Sequence, residues 1–226
     1  MGVTKRTNAN TQIAEQYSGP QTPEAAIKAV KTFKGPKFDQ SVEACVHLGI
    51  DPRQADQQLR GSISMPNGVG KTARVICFCG EDKIDDAKGA GAVEAGGADL
   101  IEKVSEGWFD FDVAVASPDM MREVSKLGRV LGPKGLMPSP KAGTVAADVV
   151  TAVKEYAAGK LEYRNDAGGN IHCVIGKMSF SESDLLENFN FLLGIIEKIR
   201  PAAAKGTYIK KVVVSGTMTP GVQVAV

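Results

Sequence analysis

The sequence has little of what catalytic and cofactor-binding chains usually carry. It has two histidines, His47 and His172, and four cysteines, Cys45, Cys77, Cys79 and Cys173, with no CxxC pair. A zinc or iron–sulfur centre needs thiolates and imidazoles at closer spacing, so the thiols read as reduced and mostly buried. There is no GxSxG elbow and no nucleophile–base–acid arrangement, hence no positive case for hydrolysis. No GxGxxG joins a strand to a helix, so a dinucleotide site is not indicated. No apolar run reaches the roughly 20 residues of a membrane span. The first twenty residues, MGVTKRTNANTQIAEQYSGP, lack the apolar core of a secretory signal. The expectation is a cytoplasmic protein that is not an enzyme, needs no cofactor or metal and meets no membrane. Net charge is also scarce, at +1, which argues against a highly basic nucleic-acid binder.

One motif comes close to a nucleotide site. Gly68-Val69-Gly70-Lys71-Thr72 resembles the end of a phosphate-binding P-loop, but the loop needs a glycine where Met65 stands. A P-loop also follows a strand and opens a helix, whereas here the apolar Arg74–Cys79 reads as a strand after it. A nucleotide-triphosphate site is therefore rejected. Asp110, Asp112 and Asp119 fall at a strand start and a helix start, where carboxylates cap or face water rather than form a catalytic pair.

The chain has 226 residues, 43% hydrophobic and 23% charged, enough for one large or two small domains. Charge is unevenly spread. Residues 68–157 hold 11 Lys and Arg against 14 Asp and Glu, leaving 16 against 12 outside them from totals of 27 and 26. Basic ends around an acidic middle suggest a discontinuous domain with an insert. Met1–Thr22 reads as a loose polar arm. Thr22-Pro23-Glu24 is a helix start. Ser41–Ile50 alternates apolar and polar residues, a strand with one polar face. From Ala73 to Ala157, strands alternate with helices, as in a layered α/β unit. Leu161–Gly176 reads as a hairpin around the turn-rich tip Asn165–Asn170. Asp184–Arg200 is the longest helix, and Tyr208–Val214 is a last strand.

The stretch Gly128–Thr144, GRVLGPKGLMPSPKAGT, has four glycines and three prolines, which speaks against an ordinary helix. Gly135 and Gly143 can supply positive φ, and the apolar Val130, Leu131, Leu136 and Met137 can anchor the loop. Arg129, Lys134 and Lys141 project from it with no carboxylate between them. That suits either a rigid connector or an anion-facing loop.

This stretch resembles the signature of the bacterial type of ribosomal protein L1 family, in its Gly-Pro-Lys-Gly-Leu-Met-Pro and Pro-Lys-Ala-Gly-Thr segments. Similar ordered segments are Lys37–Glu43, Leu48–Arg53, Asp56–Gly61, Phe111–Asp119, Tyr163–Asp166, Lys205–Lys211 and Thr217-Met218. The resemblance implies a fold of α/β and α+β parts: a discontinuous α+β domain, 1–67 and 158–226, with an inserted Rossmann-like three-layer α/β domain, 68–157. It implies a structural protein of the large ribosomal subunit that binds rRNA and forms the mobile stalk near the tRNA exit site. Assistance to release of deacylated tRNA and repression of its own mRNA are implied too. The implied rRNA face comprises Lys37, Phe38, Ser41, Arg53, Arg164, Asn165, Asp166, Ser215, Thr217 and Met218. A second contact, to RNA or tRNA, would use Arg129, Lys134 and Lys141. Such a face of hydroxyls and flat or apolar groups suits RNA's 2′-hydroxyls and unpaired bases, and reconciles binding with near-zero charge. Two features depart from the family pattern: Thr219 stands where glycine is usual, and the N-terminal arm has few Lys and Arg.

Overall fold

Local capping decides where several helices begin. The computed structural model describes residues 4–225. Thr4 opens helix α1 (Lys5–Glu15), its hydroxyl accepting from the Thr7 N–H at 3.2 Å. The sequence reading of a loose arm over Met1–Thr22 is corrected here for Lys5–Glu15; residues 1–3 lie outside the described residues. Helix α1 has no apolar stripe to announce it. Asn10 anchors it instead, buried, donating to the Lys34 carbonyl at 3.0 Å and accepting from the Lys34 N–H at 2.8 Å. Thr22 caps α2 (Pro23–Thr32), with Pro23 in the first turn, where its missing N–H costs nothing.

Strand β1 (Ser41–Leu48) keeps the alternation of its sequence: Val42, Ala44, Val46 and Leu48 are buried, while Ser41, Glu43, Cys45 and His47 are half-buried. Next come β2 (Arg60–Ile63), β3 (Val75–Phe78), α3 (Ile84–Gly89), β4 (Ala92–Gly96), α4 (Ala98–Ser105), β5 (Val113–Ala116) and α5 (Met121–Val124). Helix α6 (Gly128–Lys134) precedes α7 (Val149–Ala157), which is capped by the Asp148 carboxylate. Then follow β6 (Leu161–Arg164), β7 (Asn170–Lys177), α8 (Glu182–Lys198) with Ser181 as its cap, β8 (Ile209–Gly216) and β9 (Val222–Val224).

The chain divides into two compact units. One combines the chain up to Leu59, Met65–Gly70 and the chain from Tyr163 onward; the other is Arg60–Ser64 with Lys71–Glu162. The sequence reading draws the insert at 68–157. The first unit holds a four-stranded antiparallel sheet in the order β7-β1-β8-β9. Helices α2 and α8 pack on this sheet, and Leu185, Phe189, Leu192 and Ile196 of α8 are buried. Each such side chain contributes about 1.5–3 kcal/mol by leaving water.

The second unit holds a parallel sheet in the order β4-β3-β5. Its central strand is buried on both faces, which explains its unbroken apolar run. Val75 and Cys77 pack with Val149, Val153 and Tyr156 of α7, while Ile76 and Phe78 pack with Leu100, Val104, Leu127 and Leu131. Helices on both faces of one sheet make three layers. Asp112 ties the strand starts together, accepting from the Arg74 N–H at 3.1 Å and from Lys71 Nζ at 3.0 Å, and these bonds hold its carboxyl below the usual range. Burial pushes the Cys77 and Cys173 thiols up to about 12, so they remain protonated core groups.

Two further expectations are overturned. Leu161–Gly176 is not a hairpin: β6 pairs with β2 in a two-stranded sheet, and β7 pairs with β1. Only the tip closes as a turn, with the Asp166 N–H on the Asn170 carbonyl at 2.9 Å. Turn chemistry at the tip was legible, but the partner of β6 lies about a hundred positions away. The Gly/Pro-rich stretch also contains a helix. Pro133 is the next-to-last residue of α6, so it removes one hydrogen bond only, and Leu131 anchors the helix in the core. Gly135, at φ 72°, ends it in the left-handed conformation.

Candidate nucleic-acid interface

The turn after β8 is clamped to the start of β1. Ser41 and Thr217 exchange backbone and hydroxyl bonds: the Thr217 N–H donates to the Ser41 carbonyl at 3.0 Å, and the Ser41 N–H donates to Thr217 Oγ1 at 3.2 Å. Gln40, buried beneath them, accepts from the Met218 N–H at 2.8 Å through Oε1. Thr219 closes the turn, its Oγ1 accepting from the Gly216 N–H at 2.8 Å. With the backbone so held, Met218 stands 50% exposed, and Phe38, two residues before Gln40, is 57% exposed. These are the two most exposed large apolar side chains besides Val93 among the described residues. Lys177 Nζ donates to Ser41 Oγ at 2.9 Å, and Lys37 is exposed nearby in sequence. Ser215 lies half-buried on β8, opposite Glu43 of β1. One end of the sheet thus presents hydroxyls, two apolar surfaces and two ammonium groups.

Arg164, Asn165 and Asp166 sit at the other end of β1. The Leu48 N–H bonds the Gly169 carbonyl of the tip at 2.9 Å. Six residues of strand separate Ser41 from His47, about 20 Å at the antiparallel rise. Asn165 is buried and accepts from the Leu59 N–H at 2.8 Å, so its amide oxygen is committed to the fold. Asp166 is exposed. It accepts from the Asn170 side chain at 3.0 Å and from the Gly168 and Asn170 N–H groups at 2.8 Å each. These donors, the Asn170 amide first, bring its carboxyl down to about 2. Arg53 and Arg164 are exposed, and among the described residues neither makes an ion pair. The ten residues of the implied rRNA face therefore form two groups, one at each end of a strand, rather than one cluster.

Between them runs the half-buried face of the sheet, where Ser215 of the implied rRNA face stands among residues outside it. Glu43, Cys45 and His47 on β1 face His172 and Asn170 on β7 and Ser215 and Lys211 on β8. The alternation of β1 was the available signal for this face. Gln40 had none, because its burial depends on chain segments far from it in sequence.

In the second unit, Arg129 and Lys134 are exposed on α6, five residues apart and so about 140° around its axis. Lys134 Nζ lies over the Phe109 ring, 4.2 Å from its centroid. Lys141 is exposed in the 3₁₀ turn Pro140–Ala142. That turn is held from within: Thr144 Oγ1 accepts from the Ser139 N–H at 2.8 Å, and Tyr156 donates to the Ala142 carbonyl. The three cations share a rigid support without converging on one point of α6.

A family model described as the ribosomal protein L1p/L10e family matches residues 28–220. The matched span contains both groups at the ends of β1 and all three cations of the second unit.

Proposed function

The chain belongs to the ribosomal protein L1p/L10e family, and on that premise we propose that the two ends of β1 form its rRNA-binding face. Membership makes it an RNA-binding protein of the large ribosomal subunit. The observation that carries the residue-level reading is the Ser41–Thr217 and Gln40–Met218 clamp. It fixes two exposed apolar side chains, Phe38 and Met218, beside small hydroxyls. Phe38 stacks on a base or sugar, and Met218 fills a shallow groove. The hydroxyls of Ser41, Ser215 and Thr217 engage 2′-hydroxyls or phosphates. Lys37, Arg53 and Arg164 add phosphate contacts, which set position rather than sequence. Asp166 accepts from base or 2′-hydroxyl donors, and Asn165 holds the tip that presents it.

The finer roles belong to the same proposal. The protein forms the mobile stalk beside the tRNA exit site, assists release of deacylated tRNA and represses its own mRNA through a similar RNA site. The discontinuous domain, 1–67 and 158–226, carries the rRNA face, and the insert, 68–157, offers Arg129, Lys134 and Lys141 to a second RNA element or tRNA.

The test is binding to a large-subunit rRNA stalk fragment at several salt concentrations, beside Phe38→Ala and Met218→Ala. Tight wild-type binding with a shallow salt slope is expected, with each variant about tenfold weaker, as loss of one stacked or groove-filling side chain implies. No specific binding by the wild type would overturn the assignment. Competition by the leader of its own mRNA, and by deacylated tRNA, tests the finer roles in the same assay.

A further inference from the structure

The two histidines of the chain lie on one face of one sheet, between the two groups of proposed rRNA contacts. His172 is the register partner of Cys45, and His47 is the register partner of Asn170, so the two rings are diagonal neighbours across β1 and β7. His172 is exposed, with 59% of its side chain open to solvent, and His47 is half-buried. Their setting is defined by a chain of hydrogen bonds. Asn170 Nδ2 donates to the Asp166 carboxylate at 3.0 Å, and Asn170 Oδ1 faces His47 Nδ1 at 2.8 Å. An ionised carboxylate can only accept, so it orients the amide with its NH₂ toward Asp166 and its oxygen toward His47. The oxygen in turn keeps a proton on His47 Nδ1. Neutral His47 therefore has Nε2 left as an acceptor, the wrong polarity for a phosphate. Protonated His47 has Nε2 as a charged donor.

We infer that His47 and His172 are RNA-phosphate contacts that join the two ends of the proposed face and take up protons when RNA binds. The inference rests on the rRNA-binding reading of that face. The charged groups around them are Asp166 from the tip, Lys211 opposite His47 on β8, Lys210 beside Gly49, and Glu43 farther along β1. Cys45 lies between the two rings on the same face. Asp166 stays ionised throughout the neutral range, and Cys45 is raised by burial and stays a thiol. Imidazole is the side-chain type of this face that can exchange a proton near neutral pH. Asp166 lies 3.7 Å from His172 Nε2, and Lys211 stands opposite His47 in the register of β1 and β8. A bound phosphate adds a negative charge beside both imidazoles and favours their protonated forms, which links binding to protonation.

The experiment measures affinity for the rRNA stalk fragment from pH 6.0 to 8.0 at constant ionic strength, because salt alone shifts such binding. The wild type is expected to bind about three- to tenfold more tightly at pH 6.0 than at pH 8.0, on the scale of one or two imidazole charges. The double variant His47→Gln/His172→Gln is expected to bind more weakly than the wild type at pH 6.0 and to lose the dependence on pH. Calorimetry of the wild type in two buffers of different ionisation enthalpy should show proton uptake at pH 6.5, and it needs no variant to fold. Tight wild-type binding without pH dependence or proton uptake would overturn the inference and leave the RNA reading standing. A dependence that survives in the double variant would overturn it as well, placing the titration in the RNA. Absence of binding at every pH would overturn the RNA reading itself and this inference with it.

Discussion

Gln40 holds Met218 in place: its buried amide oxygen accepts the Met218 N–H at 2.8 Å, while its own carbonyl accepts the Met178 N–H at 2.9 Å. One residue thus joins the turn after β8, through its side chain, to the segment after β7, through its backbone. Replacing it by Leu keeps the volume but leaves the Met218 N–H without an acceptor. Gln40→Leu should lower unfolding free energy by about 1–3 kcal/mol, the cost of a buried group left unsatisfied. It should also weaken rRNA binding. Met218→Ala removes an exposed side chain and should weaken binding with stability nearly unchanged. Denaturation and RNA titration on both variants separate presentation of the contact from the contact itself.

Thr219 stands where the family usually has glycine, and the turn does not ask for glycine's freedom. Among the described residues, no position other than glycine has positive φ. The Thr219 N–H donates to the Gly216 carbonyl at 3.2 Å, and its hydroxyl accepts from the Gly216 N–H at 2.8 Å. The hydroxyl replaces conformational freedom with a bond. Thr219→Val keeps the branched shape and loses that bond, so it should cost about 1 kcal/mol of stability. Thr219→Gly should cost at least as much, because it also frees the unfolded chain. Thermal unfolding of the two variants checks the order. A glycine variant more stable than wild type would show that the threonine strains the turn.

The Asp166 turn should leave a signature in acid. Its carboxyl titrates at about 2 in the folded chain, below the ordinary 3.8, because the Asn170 amide and the N–H groups of Asn170 and Gly168 favour the ionised form. A depressed carboxyl stabilises the fold above its unfolded value and loses that contribution as pH falls toward its folded value. Wild type should therefore exceed Asp166→Ala in stability at pH 7. The gap should narrow as pH falls from about 4 to about 2, the window set by the two values. Urea titrations at pH 7 and pH 2.5 give the comparison; a gap equal at both would assign the effect to the side chain's shape.

Local chemistry explains which parts of this fold could be read in advance. Strand β1 was legible because one of its faces is buried, and burial writes itself into every second residue. Helices α2 and α8 were legible from a capping hydroxyl and an apolar stripe. The pairing of β6 was not, since strand partners are set by distant register rather than by the nearest turn. Helix α6 hid behind Pro133 because a proline near a helix end removes only one bond. At the interface, the family resemblance pointed to Phe38, Thr217 and Met218. Their arrangement depended on Gln40, which carries no signal of its own, and the split of the contacts between the two ends of β1 followed only from the register.

The cations of the second unit should prove unequal. Lys134 lies over the Phe109 ring at 4.2 Å, an exposed cation–π contact. Lys134→Ala should therefore cost about 0.5–1 kcal/mol of stability, the range for such contacts at the surface. Arg129 and Lys141 are exposed without an ion pair among the described residues, so Arg129→Ala and Lys141→Ala should leave stability nearly unchanged. If the proposed tRNA contact uses both as phosphate ligands, the Arg129→Ala/Lys141→Ala pair should weaken tRNA binding and flatten its salt dependence. The expected change is roughly 0.7–0.9 in log–log slope per phosphate lost. Binding to the rRNA stalk fragment should stay as it was, since those contacts lie in the first unit. Unchanged tRNA affinity and slope in the pair would remove Arg129 and Lys141 from the contact and leave the stretch a rigid connector.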